Sequence, residues 1–160
     1  SFILIAINLY ASPKFAASAK TNKIEEIRGT SFLCSRVILC VATPAVLVLF
    51  VGAEFFMSLF GESYRQGANI LRILIVGQYV NVITGSVGFI LNMTGHEKDM
   101  RNVVFLSGPL ALILGFALIP VYGMTGAAIS TAVAVASQNL LAVRLVKKRL
   151  GFNTLNVFTK

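Results

Sequence analysis

From Ile73 to Gly95 the chain carries no charged residue, and from Val103 to Val143 it again carries none; Phe32 to Phe50 carries only Arg36. A bilayer core needs about 20 mainly apolar residues at a rise of about 1.5 Å each. Every one of these runs reaches that scale. Composition agrees, with 56% hydrophobic residues, 12% charged and a mean hydropathy of +0.81, against about 45–50% apolar and about 25% charged in ordinary globular domains. The expectation is an all-α, polytopic helical membrane protein.

Within a membrane domain over 31–146, four complete transmembrane helices are expected at about 31–53, 69–94, 103–121 and 124–145. Pro44 kinks the first, Pro109 interrupts the third, and Pro120-Val-Tyr-Gly123 forms a tight turn into the fourth. Residues 1–12 are apolar but only about half a span long, and they lack the basic start and small-residue cleavage site of a signal peptide. They are expected to be the end of a truncated fifth helix, and the chain a C-terminal fragment of a larger protein. Ser12-Pro13 resembles an N-cap with proline at the first helical position. It opens a basic segment over 13–30, which suits an interfacial helix or a plain cytoplasmic linker equally. The stretch GAEFFMSLFGESYRQGA marks an aqueous loop, and 147–160 a basic cytoplasmic tail.

The net charge of +8 comes without the basic face, aromatics or module of a nucleic-acid binder, so no nucleic acid is expected. Lys and Arg gather instead in cytoplasmic loops. One side of the expected topology holds Lys14, Lys20, Lys23, Arg28, Arg36, Lys98, Arg101, Arg144, Lys147, Lys148, Arg149 and Lys160, and the other only Arg65 and Arg72. That asymmetry places the C-terminus in the cytoplasm and the GESYRQG loop outside.

Polar residues inside the runs are few. Gln78, Asn81, Gly85, Gly88 and Asn92 recur at spacings that share one helix face. The stripe suits helix packing through small residues and amides, and it suits the lining of a water-filled path. Ser107, Ala111 and Gly115, then Gly126, Ser130, Ala134 and Ser137, form small-residue faces that favour packing. Gln138 and Asn139 either contact a polar substrate or hydrate a helix end. Arg72, at the outer mouth of the second span, either snorkels to the interface or offers a positive charge to an anionic substrate such as a diphosphate.

Enzymatic chemistry finds little footing. All acids fall in expected loops or boundaries, so no carboxylate pair meets inside the membrane. Cys34 and Cys40 lack metal-site spacing, His96 has no ligating neighbours, and no phosphate-binding glycine loop is present. No catalytic, cofactor or metal residue is assigned. Glu97-Lys-Asp99 superficially resembles a glycosyltransferase acid-x-acid element.

The succession LFGESYRQGANILRILIVGQYVNVITGSVGFILNMTGHEKDMRN, followed by LIPVYGMTGAAIST, resembles the C-terminal portion of Wzx-type polysaccharide biosynthesis proteins. These are lipid-linked oligosaccharide flippases of the multidrug/oligosaccharidyl-lipid/polysaccharide exporter superfamily. The resemblance covers about Pro13 to Leu150. It implies a two-lobe transporter in the cytoplasmic membrane that translocates polyprenyl-diphosphate sugars by alternating access, with this chain supplying part of the second lobe. It further implies the N-terminal lobe, membrane lipids and lipid-linked oligosaccharide as partners, with glycosyltransferases or a polymerase of the same pathway as further ones. Arg72, Gln78, Asn81 and Asn92 become substrate-path candidates. The rivals are a drug/cation antiporter of the same superfamily, a membrane glycosyltransferase or polymerase component, and a purely structural helical subunit.

Overall fold

Backbone N–H and C=O groups in a bilayer have no water to bond, so an apolar chain must satisfy them internally, most simply as helix. The computed structural model describes residues 2–21 and 23–154. Among these there is no strand. The elements are α1 (Phe2–Lys20), α2 (Ile24–Val51), α3 (Ala53–Ser58), a 3-10 helix (Glu62–Gly67), α4 (Ala68–Thr84), α5 (Val87–Met93) and α6 (Glu97–Leu150). Three helical stretches, Ile24–Val51, Glu62–Thr84 and Glu97–Leu150, are long and apolar enough to cross a membrane. Their outer surfaces expose Leu47, Val48, Phe105, Leu112, Phe116 and Val121, a greasy exterior that suits lipid and that soluble monomers rarely show.

The expected boundary at Ser12-Pro13 is absent, because α1 runs through Pro13. Ala11 and Phe15 flank the proline one turn apart, and both are fully buried in a cluster with Ile27. Packing on both sides holds the helix together where the proline removes one backbone bond. The segment 13–30 is therefore no separate element; it is divided between α1 and α2, whose turn is tied by Ser18 Oγ donating to Glu26 Oε2 at 3.0 Å.

The span expected over 69–94 is two helices. The chain breaks at Gly85, with φ 70° and ψ −137°. A Cβ there would lie 2.7 Å from Ser35 Oγ, so α2 passes close by, and the positive φ itself favours glycine. Just before the break, the Thr84 hydroxyl lies 3.0 Å from the carbonyls of both Val80 and Asn81.

The spans expected at 103–121 and 124–145 form one element of 54 residues, about 80 Å if straight and far longer than a bilayer is thick. It is not straight. Gly123 has φ 56° and ψ −132°, and the two arms fold back on each other there. Asp99 pairs with Arg149, Ser107 with Gln138, and Gly126 lies so close to Leu118 that a Cβ would strike its carbonyl. Each pair converges on Gly123, which makes α6 an antiparallel hairpin.

Contacts fix the remaining directions. Arg72 meets Phe50, Tyr79 meets Thr43, and Gly85 meets Ser35, so α2 and α4 are antiparallel. Gly77 meets Ala132 and Thr84 meets Asn139 at the same offset of 55 residues, so α4 and the second arm of α6 run parallel. Gly52, Ala68 and Gly123 therefore share one end of the bundle.

Lipid is as apolar as leucine, so close packing and interhelical hydrogen bonds hold such helices together. One buried cluster joins Phe15, Ile27, Cys34, Val87, Ile90, Leu91, Val143 and Val146; a smaller one joins Ile38, Ala42 and Val82. The last four positions of α6 begin the expected tail region, and Gly151 closes the helix in the left-handed conformation. Phe152 then packs edge-on against Phe32 with centroids 6.3 Å apart. Residues 155–160, including Lys160, lie outside the described residues.

Candidate functional site

The break at Gly85 and the parallel register of α4 with α6 create a cavity of about 350 Å³, within the range of about 300–1,000 Å³ usual for small-molecule sites. Gln78, Asn81, Gly85 and Gly88 form one wall; Val135, Gln138 and Asn139 of the second arm of α6 form the other. Phe89, Met100 and Ile5 supply apolar surface. Among the described residues, no side chain in this lining is ionisable.

The amides are held in defined orientations. Asn139 is held at both ends of its amide: its Oδ1 accepts from the Thr84 hydroxyl at 3.2 Å and its Nδ2 donates to the Val135 carbonyl at 2.9 Å. Gln138 Oε1 accepts from Ser107 Oγ at 3.2 Å, which leaves its NH2 group unbonded among the described residues. Asn81 Nδ2 donates to Gln78 Oε1 at 3.4 Å, leaving the Asn81 carbonyl oxygen and the Gln78 NH2 in the same position. The cavity thus presents the NH2 groups of Gln78 and Gln138 and the carbonyl oxygen of Asn81, and its described lining carries no formal charge.

Of the four residues singled out from sequence, Gln78 and Asn81 line this cavity and Asn92 and Arg72 do not. Asn92 is exposed on α5; the spacing that aligned it with Asn81 assumes an unbroken helix, and the break at Gly85 interrupts that periodicity. Arg72 lies nine positions before Asn81, which at about 3.6 residues per turn is the opposite face of α4. Its guanidinium donates through Nε to the Phe50 carbonyl (3.4 Å), through Nη1 to Asn69 Oδ1 (3.1 Å) and through Nη2 to Glu54 Oε1 (3.3 Å). Arg65 approaches the same carboxylate at 3.7 Å. Arg72 therefore joins the end of α2, the start of α3 and the first turn of α4.

Gln138 and Asn139 enter the cavity wall together, and Ser107 and Thr84 orient them. Pairwise reach across 31 and 55 residues has no local signature; only the amide pair in an otherwise apolar run points to it. His96 closes the turn after α5, with its Nδ1 3.2 Å from Thr94 Oγ1 and its N–H on the Leu91 carbonyl. Gly95, at φ 79°, completes that helix end. Asp99 of the acid-x-acid triplet is held by Arg149 through bonds of 2.6 and 3.1 Å. Among the described residues no three His, Cys, Asp or Glu side chains gather as metal ligands.

Compared with models of known protein families, with curated proteins and with solved structures, the chain finds no match.

Proposed function

We propose that the chain belongs to a transporter that carries lipid-linked oligosaccharide, a polyprenyl-diphosphate sugar, across the cytoplasmic membrane for polysaccharide biosynthesis. The observation that carries this reading is the uncharged, amide-lined cavity between α4, α5 and α6. A sugar leaving water must replace the hydrogen bonds of its hydroxyls, because burying them unpaired costs about 2–7 kcal/mol each. Amides can donate and accept at low desolvation cost, while the polyprenyl tail stays in lipid. The sequence resemblance to Wzx-type flippases points the same way.

Under this reading the chain is part of the second lobe of a two-lobe carrier. Residues 31–53, 69–94 and the two arms of α6 are four crossings, and α1 is the end of a fifth. The basic turns and the C-terminus face the cytoplasm, and Gly52, Gly67 and Gly123 face outward. The lobes rock about the cavity to expose it to each side in turn. A drug/cation antiporter would need an acid facing the cavity to exchange a proton or metal cation, and the described lining holds none. A glycosyltransferase would need available carboxylates, whereas Asp99 is engaged by Arg149.

Deletion of the gene tests the assignment. Lipid-linked sugar should accumulate in the inner leaflet; if sugar still reaches the outer leaflet at an unchanged rate, the transporter reading fails.

A further inference from the structure

We propose that a groove on the outer face of the α6 hairpin, toward the end away from Gly123, binds an anionic phospholipid, with its phosphate on Arg144 and Lys148 and an acyl chain along the groove. The proposal stands on the membrane-crossing fold and does not depend on the transporter reading.

The groove encloses about 310 Å³ between the two arms of α6. Leu106 and Leu110 of the first arm and Leu140 and Leu141 of the second supply its apolar surface, and Arg144 is the one ionisable residue in its described lining. Leu106 is 61% exposed and Leu140 46%, so the groove opens away from the rest of the chain, toward lipid. On the second arm, positions 137, 140, 141 and 144 lie on the face opposite 135, 138 and 139, which line the amide cavity. The groove is therefore a separate site.

Depth and charge name its occupant. Arg144 ends the charge-free run and follows Gly123 by 21 residues, about 32 Å of helix. With Gly123 at one surface, the guanidinium reaches the headgroup layer of the other, since the hydrocarbon core is about 30 Å thick. Lys148 follows one turn later on the same face. Arg149 at this end is held by Asp99, and Arg72 at the far end by Glu54. By contrast, no hydrogen bond or ion pair among the described residues engages Arg144 or Lys148. Two unpaired cations at the mouth of an apolar channel complement a phosphate attached to its acyl chains. A choline headgroup would bring a positive charge of its own beside them.

The test is native mass spectrometry of the complete protein in detergent, titrated with phosphatidylglycerol or with phosphatidylcholine of the same chains. Phosphatidylglycerol should be retained in preference. Arg144→Ala should weaken it by about fivefold or more, the scale of one cation at a lipid phosphate, and leave phosphatidylcholine unchanged. Arg101→Ala is the control: it removes an exposed cation at the same end, nine positions before Leu110 and so on the opposite face of the first arm, and should have little effect. Leu140→Glu gives a second route if Arg144→Ala does not fold, because the new acid would pair with Arg144 one turn on; it too should weaken phosphatidylglycerol. Equal retention of the two lipids, equal losses in Arg144→Ala and Arg101→Ala, or undiminished binding in Leu140→Glu would overturn the proposal. So would a polyprenyl phosphate that binds the groove about tenfold more tightly than phosphatidylglycerol, which would assign it to the transported lipid instead.

Discussion

Gly77 of α4 lies directly against Ala132 of α6, so close that a Cβ on the glycine would sit 2.7 Å from both the Cα and the Cβ of Ala132. This contact shares its offset with Thr84 and Asn139, so it sets the register that brings Gln78 and Asn81 opposite Gln138. Gly77→Ala is expected to force the helices apart and destabilise the fold by about 1–3 kcal/mol, as overpacking does. Gly29, by contrast, has open space around its Cβ position, and Gly29→Ala should be neutral or stabilising by up to about 1 kcal/mol. Melting of the two variants in detergent checks the pair; equal behaviour would remove the close contact from the account.

Gly123 reverses the chain between the arms of α6 in a conformation that L-residues avoid. Gly123→Ala should cost about 1–3 kcal/mol through backbone strain. The hairpin also fixes sidedness. In a background lacking Cys34 and Cys40, a cysteine at Tyr122 and one at Arg101 should react with impermeant thiol reagents from opposite faces of the membrane. Labelling of both from the same face would contradict the fold-back.

Arg72 is an anchor between α2, α3 and α4. Arg72→Ala should lower stability by about 1–2 kcal/mol, the scale of partly exposed charge-assisted bonds, and Arg72→Lys should recover only part, since lysine lacks the fork. Transport per folded molecule should hardly change. Full stability with lost transport would instead place Arg72 on the substrate path.

Asp99 precedes the apolar run that begins at Val103, and the Arg149 guanidinium bonded to it lowers its pKa. A depressed acid stabilises the fold above its unfolded value, about 3.9, and that contribution is lost as pH falls through the lower folded value. Asp99→Asn should therefore lower the melting temperature by a constant amount from neutral pH down to about pH 4, and the gap to the unaltered protein should close below that. A gap that stays open in strong acid would show that the variant acts by some route other than the ion pair.

Charge-free runs made the helical, lipid-facing character legible, because nothing else accommodates so many apolar side chains. Gly95 as a helix end and Gly123 as a reversal point were equally readable from glycine's place between apolar stretches. Pro13 misled, since local rules favour a helix start there and only the burial of Ala11 and Phe15 on both sides overrides them. The break at Gly85 was hidden because a single glycine inside an apolar run can equally sit in an unbroken helix, and with it went the placement of Asn92. Gln78 and Asn81 were visible as a polar stripe; their partnership with Gln138 needed the register set by Gly77 and Ala132.

The central claim is that the amide cavity is the sugar's route. Its most direct measurement is translocation of an acetamido-sugar polyprenyl diphosphate by the reconstituted transporter carrying Asn81→Leu and Gln138→Leu together. Shape and apolar packing are largely kept while the Gln138 NH2 group and the Asn81 carbonyl oxygen are lost from the cavity. The account predicts a fully inserted protein whose transport falls by about a hundredfold, the scale of two lost hydrogen bonds. Transport at the unaltered rate would contradict it.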